Sequence, residues 1–213
     1  DPAHIDLGLW AKERHLHGQR YPYALHALDA TAAALVLWDT FLSNGPKRRI
    51  AAGLGTDEHH ARALVAFWAG CHDIGKLIRE FQEQVPLDLS AYPHDPSPVD
   101  RTSHSFVTHQ WLISALGSFG YDDEDGYTAH LVRSEEHTSW QDQRERSTRL
   151  VHEAAGSPKP PAQFDAAVAP LVCGLVILAD WLVSQEHFLL DRLKVPPANG
   201  GRPSLLAHFR ASI

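Results

Sequence analysis

Apolar residues in this chain are massed or spaced for helices almost everywhere, with polar or Pro/Gly breaks between the runs. Residues 24–43, ALHALDATAAALVLWDTFLS, are dense in Ala and Leu and end at a Ser-Asn-Gly-Pro stop. Residues 57–70, DEHHARALVAFWAG, open with acidic side chains suited to a helix N-terminus and then turn apolar. The pattern predicts a further helix over 74–84, ending before Pro86, and a proline-rich loop over 86–101. Residues 103–116 read as a helix followed by an acidic turn over 122–126, and 157–161 as a loop. Residues 164–188 predict a long, mostly buried helix with Pro170 near its first turn. No alternating strand pattern persists and no internal repeat is found, so the fold class expected is all-α.

The length of 213 residues and a hydrophobic share of 44% suit one substantial domain with its own core. Residues 1–190 are taken as that domain, and the Pro/Gly-broken stretch 191–213 as a tail or the start of a linker. Fifteen histidines are the compositional outlier, and histidine is the commonest metal ligand. Several of them, His4, His15, His17, His94 and His208, stand in polar or terminal stretches and are expected to face solvent. A formal net charge of -7 argues against tight, autonomous gripping of nucleic acid by a broad basic face, while leaving catalysis open.

Cys71 and Cys173 both lie in apolar runs, which points to buried free thiols and no disulfide framework. The start DPAHIDLGLW lacks the basic and apolar regions of a signal peptide. Residues 167–183 are the most apolar stretch, but Pro170 and Asp180 make it a buried core helix in this reading, not a membrane span. The expectation is a cytoplasmic protein with no membrane partner.

Chemistry is concentrated at Gly70-Cys71-His72-Asp73-Ile74-Gly75-Lys76. Neighbouring residues on a regular helix point about 100° apart, so His72 and Asp73 converge on one ion only where the backbone bends, and Gly75 is placed to help. An imidazole with a carboxylate suits iron, manganese, cobalt, nickel or zinc; the plain alternative is that the two side chains cap successive helices. His26 lies in an apolar helix, as a core histidine or a ligand. Asp180 lies inside the most apolar segment, where a carboxylate requires an ion pair, hydrogen bonds or a metal. The order His…His-Asp…Asp is more specific than any one of its members.

These residues resemble the HD superfamily of metal-dependent phosphohydrolases. The stretches LWAK (9–12), YPYALHALDATAAALVLWD around His26, CHDIGKLIREFQ around His72, SHSFVT around His104 and LVILADWLVSQ around Asp180 are similar to the nuclease domain of the type I CRISPR helicase-nuclease family. The resemblance covers nearly the whole chain in the family's motif order. It implies a compact multi-helix HD bundle around a metal site, with His26, His72, Asp73 and Asp180 on a first ion. A second ion would fall to His104 and a following His-His-Gly motif, with Asp73 bridging. Lys76 would face the phosphate or orient the bridging carboxylate; its plain alternative is a solvated lysine. His109 and Ser184 need no role beyond packing or hydrogen bonding to the motif residues.

The His-His-Gly motif is missing. RSEEHTS (133–139) stands in its place, so Glu136 and His137 are either second-site ligands or part of an exposed acidic loop. RSEEHTS is also the in-frame translation of a widely used sequencing-adapter read, which offers a third origin for the segment. The helicase motifs that follow in the family, a phosphate-binding G-x-x-x-x-G-K-[ST] loop among them, do not occur in these residues.

The resemblance implies a hydrolase: two divalent ions (Fe, Mn, Co or Ni, with Mg also acceptable) cleaving single-stranded DNA in CRISPR type I interference, with Asp73 and Lys76 as the reacting-centre residues. Trp111 and Trp140 are candidates for base stacking, with packing as their default role. Partners would be single-stranded DNA, a superfamily 2 helicase domain or chain, and the CRISPR surveillance complex. Two other functions stay open: an HD phosphohydrolase acting on nucleotides, and a catalytically weakened docking module for the surveillance complex.

Overall fold

The structure is a computed structural model that describes residues 4–92, 104, 105, 107, 108, 112 and 138–211. The expected all-α architecture is the observed one. Helix α1 (Tyr23–Val36) is apolar on nearly every side, as a helix surrounded by others must be, and it packs against most of the fold. Around it stand α2 (Asn44–Gly53), α3 (Glu58–Cys71), the short α4 (Arg79–Gln82), α5 (Thr138–Ala154), α6 (Ala169–Val183), α7 (Glu186–Leu193) and α8 (Arg202–Arg210). The strongest packing is α1 on α3, with α6 lying across both. Leu28, Leu64 and Phe67 are fully buried along this seam, each worth about 1.5–3 kcal/mol over an exposed position.

Local chemistry sets the element ends. Asp57 caps α3 by accepting from the His60 N–H at 2.7 Å. Ser-Asn-Gly-Pro ends one helix, as expected, but also begins α2, because Pro46 falls in a first turn where its missing N–H has no partner to lose. Between them α1 widens into a π turn over Leu37–Phe41. A two-stranded antiparallel pair, β1 (Trp10–Lys12) with β2 (Tyr21–Pro22), leads into α1. With three and two residues, these strands are too short to carry an alternating pattern.

Several sequence expectations are corrected. The helix predicted over 74–84 is instead a 3-10 turn (Ile74–Lys76) followed by α4, which places the His-Asp pair at a break between helices. The long helix predicted over 164–188 is divided into α6 and α7 at Ser184-Gln185, and α6 is buried on one side only. Val172, Leu175, Ala179 and Val183 face inward, while Leu171, Ile177, Trp181 and Leu182 are exposed, Trp181 by 64%. By length and composition the stretch Ala166–Val183 is apolar enough to cross a membrane. Its inner side is built into the bundle and its Asp180 into the cluster described below. Cys71 is buried as expected, but Cys173 lies on the outer side of α6 and is exposed; both are free.

Beyond residue 191, α8 places Leu205, Leu206 and Phe209 in the core, so the described part of the expected tail packs onto the bundle instead of trailing from it. His208 of the same helix is buried, not solvent-facing; His4, His15 and His17 are exposed as expected, and His94 lies outside the described residues. Trp140 is 3% exposed with its ring on Tyr92, so it is a packing residue, while Trp111 and His109 lie outside the described residues.

Candidate metal centre

Two close helix approaches make the site. Gly70 in α3 lets that helix approach α1 near His26: a Cβ there would run into Thr31 and Val151. Gly75 has an ordinary negative φ, so it does not bend the chain through left-handed backbone. It is required because a Cβ would collide with the His104 carbonyl and the Thr108 backbone, which lie directly on the turn. The Gly75 N–H donates to Thr108 Oγ1 at 2.9 Å and locks that approach.

The structure brings His26, His72, Asp73 and Asp180 together. One donor atom from each lies within 4.8 Å of all the others. His26 Nε2 is 3.5 Å from Asp73 Oδ2 and 3.2 Å from Asp180 Oδ1; His72 Nε2 is 3.2 and 3.4 Å from the same two oxygens. Asp73 turns its other oxygen the opposite way, and His104 Nε2 lies 3.8 Å from this Oδ1. His137, the further ligand expected from the sequence, and Glu136 lie outside the described residues.

His72 makes the capping bond of the plain alternative and still faces the cluster. Its Nδ1–H donates to the Ala69 carbonyl at 2.7 Å, satisfying the C-terminal end of α3, and this turns Nε2 toward the carboxylates. Asp73 makes no capping bond. His26 is fully buried, and neither of its ring nitrogens nor His72 Nε2 makes a hydrogen bond, despite the nearby oxygens. Buried, unbonded imidazole nitrogens converging with two carboxylates are the arrangement a divalent transition-metal ion completes. The donor set therefore fits such an ion.

Charge is balanced tightly. Burial pushes Asp73 up, but His26 and His72, with the charge of Lys76, outweigh it and hold the carboxyl well below the usual carboxylate range. Asp180 is held low in the same way by His26, His72 and Lys12 against its own burial. For His72 burial pulls down, and the Asp180 and Asp73 carboxylates overcome it, raising the imidazole to about 9. His104 is lowered, chiefly by burial. Both carboxylates are thus ionised over the whole physiological range.

Lys76 is not the solvated lysine of the plain alternative. It is 6% exposed, its Nζ sits 2.5 Å from Asp73 Oδ2 and 3.2 Å from the Ala11 carbonyl, and it lies over the Phe81 ring. Burial lowers its pKa, against the opposing pull of Asp73. Such an enclosed ammonium orients the carboxylate. Ser184 Oγ donates to Asp180 Oδ1 at 2.8 Å, the hydrogen-bonding role allowed for it.

Three residues around the site were not singled out by sequence reasoning. Lys12 places its Nζ 3.0 Å from Asp180 Oδ1. Gln82, wholly buried, brackets β1 with bonds of 2.9 Å to the Trp10 N–H and carbonyl and a third to the Lys76 carbonyl. Arg144 of α5, also buried, donates to the Leu77 carbonyl at 2.8 Å and braces the same turn. Lys12 and Gln82 stand inside stretches that carried the family resemblance, LWAK and CHDIGKLIREFQ, which was the available signal; Arg144 had none.

Comparison with known proteins bears on the same residues. The chain is 26% identical over 235 residues to the CRISPR-associated nuclease/helicase Cas3 of Streptococcus thermophilus, covering 87% of this chain and 25% of that protein. The crystal structure of T. fusca Cas3 matches at a TM-score of 0.91 and 45% identity, over 98% of this chain and 26% of that one. A chain of a CRISPR RNA-guided surveillance complex, pre-nicking, matches at a TM-score of 0.90 and 45% identity, over 98% of this chain and 28% of that one. The present chain thus spans about a quarter of the length of these relatives. A family model described as the HD domain of Cas3 matches residues 10–189, a span that contains all four clustered side chains, and the chain belongs to that family.

Proposed function

We propose that this chain is a metal-dependent nuclease that hydrolyses phosphodiester bonds of single-stranded DNA in CRISPR type I interference, acting in the cytoplasm. The observation that carries the reading is the convergence of His26, His72, Asp73 and Asp180, with imidazole nitrogens that no hydrogen bond satisfies. These four would hold one divalent ion, with Fe, Mn, Co or Ni favoured by the mixed nitrogen and oxygen donors and Mg acceptable. Asp73 Oδ1 and His104 would contribute to a second, and His137 is its further candidate ligand. When bound, such ions supply a Lewis acid for the phosphate and bring the pKa of a water toward neutrality.

The chain's own residues do the positioning. Asp73 offers one oxygen to the inner cluster and one to His104, the geometry required of a bridging carboxylate. Lys76 fixes its orientation, Ser184 fixes that of Asp180, and the Ala69 carbonyl fixes the His72 tautomer. His26 and Asp73 are recessed between helices, so a phosphodiester reaches them more readily from a flexible strand than from a stacked duplex. Family membership and the names of the relatives support the CRISPR context. They also support a helicase portion and the surveillance complex as partners.

The deciding experiment incubates the purified chain with manganese or nickel and either single-stranded DNA, duplex DNA or mononucleotides. The reading requires cleavage of the single strand that EDTA abolishes. Turnover of mononucleotides alone would instead mark a nucleotide phosphohydrolase. Absence of both bound metal and cleavage would leave only a docking role.

A further inference from the structure

The two lysines beside the cluster differ in one physical respect. Lys76 is enclosed: its side chain is 7% exposed and its ammonium is committed to Asp73 and to the Ala11 carbonyl. Lys12 is 22% exposed, and among the described residues Asp180 is the one hydrogen-bond partner of its ammonium. It carries its charge on a flexible four-carbon stem with three donors. Its backbone, by contrast, is fixed. Lys12 pairs with Tyr21 of β2, two residues before α1 begins, and its neighbour Trp10 is bracketed by Gln82.

Asp180 Oδ1 is also crowded. It receives the Ser184 hydroxyl at 2.8 Å and Lys12 at 3.0 Å, and it lies 3.2 and 3.4 Å from the His26 and His72 nitrogens. One carboxylate oxygen cannot serve all four and a cation as well. Of these groups only Lys12 combines a long stem with a half-open position, so it is the group free to yield. An ammonium released from Asp180 stays beside the cluster on a partly exposed side chain, within reach of a phosphate that comes to the cluster. In a chain of formal net charge -7 it provides a local attraction for phosphate.

We propose that Lys12 is a phosphate-binding residue of the site, its ammonium passing from Asp180 Oδ1 to a non-bridging oxygen of the nucleic-acid phosphate that enters beside the cluster. The inference rests on the phosphodiesterase reading of the same cluster and assigns substrate binding to a residue outside the ligand set.

The test compares the wild-type chain with Lys12→Gln, Lys12→Arg and, should Lys12→Gln not fold, Lys12→Met. Binding of a labelled, cleavage-resistant phosphorothioate oligothymidylate of about 15 nucleotides is measured by anisotropy in manganese across a salt series. Cleavage of the unmodified strand is then followed with manganese, and manganese affinity is measured separately. Lys12→Gln is expected to weaken binding and raise KM about tenfold, with kcat changed far less. It should also flatten the dependence of log Kd on log salt by about 0.7, the loss of one single-strand phosphate contact. Lys12→Arg should recover most of the affinity for the strand, and manganese affinity should not fall below the wild-type value in any variant.

Unchanged binding and salt slope in Lys12→Gln overturn the proposal. So does a loss of manganese affinity that tracks the loss of activity, because Lys12 would then only support Asp180. Failure of the wild-type chain to cleave with any metal overturns the nuclease reading instead, and the binding series on the cleavage-resistant strand still decides Lys12 on its own.

Discussion

Helix α1 supports two buried polar clusters less than one turn apart, and they solve the same electrostatic problem differently. At Asp29 the carboxylate is 2% exposed and brings its own cation: Arg192 of α7 lies 2.9 Å from Oδ1, and the Tyr21 hydroxyl donates to Oδ2. Arg192 in turn contacts His208 of α8, so the cluster ties three helices and the strand β2 together. At His26 the neighbouring side chains are two carboxylates and a second imidazole, and the buried ring nitrogens are left without hydrogen bonds. The first arrangement pairs one carboxylate with one guanidinium across helices and is a clamp. The second gathers two imidazoles and two carboxylates with one donor atom from each within 4.8 Å of the others, a set that could hold a metal ion.

The sharpest way to break this contrast is to remove the carboxylate that faces both sides of the centre. Asp73→Ala should lower metal-dependent cleavage by more than about 100-fold while circular dichroism shows the helical fold retained. Normal turnover would falsify the assignment of the centre. The clamp should behave in the opposite way. Arg192→Met strands the Asp29 carboxylate in the core, and is expected to cost roughly 3–5 kcal/mol in denaturant unfolding while leaving manganese affinity alone. If stability is unchanged, the Arg192–Asp29 pair is not a clamp. Adding Asp29→Asn to that variant should restore part of the loss, since the two sites are coupled.

A bound ion should also stabilise the fold. At a concentration of 100 times its Kd it contributes about 2.7 kcal/mol, read as a higher thermal midpoint in manganese than in EDTA. That gap should disappear in Asp73→Ala and persist in Arg192→Met, which separates the clusters directly. The smallest effect is one of pH. Burial, with the charge of Arg192 adding to it, lowers His208 to about 4, whereas the unfolded chain takes up that proton near its ordinary value of about 6.5. The contribution is therefore full above about 6.5 and lost as pH falls toward 4, because the unfolded state binds the proton first. Thermal midpoints measured between pH 7.5 and 5 should fall a few degrees less for His208→Gln than for the wild type. Parallel curves would remove His208 from the account.

The same contrast shows what was legible in the sequence. His26, His72, Asp73 and Asp180 were recognisable because ionisable residues inside apolar helical runs need a reason to be there, and their order is diagnostic. Asp29 sits three residues from His26 in the same apolar helix and was passed over, since its partner Arg192 lay in a stretch read as tail. Lys12 could not be connected to Asp180 by any local pattern, being 168 positions away. The exposed side of α6 was misread because near-continuous hydrophobicity has no period, so it does not say which face is covered.

By itself, the sequence determined the helical class, the four side chains that cluster and the family, because helix formation and chemical type are written within a turn or two of each residue. The tertiary structure decided which oxygen faces which nitrogen, which lysine is enclosed and which is open, and which buried aspartate closes on its own cation. Those outcomes depend on close approaches at Gly70 and Gly75 between segments distant in the chain, and such contacts are fixed by packing and excluded volume, not by local pattern.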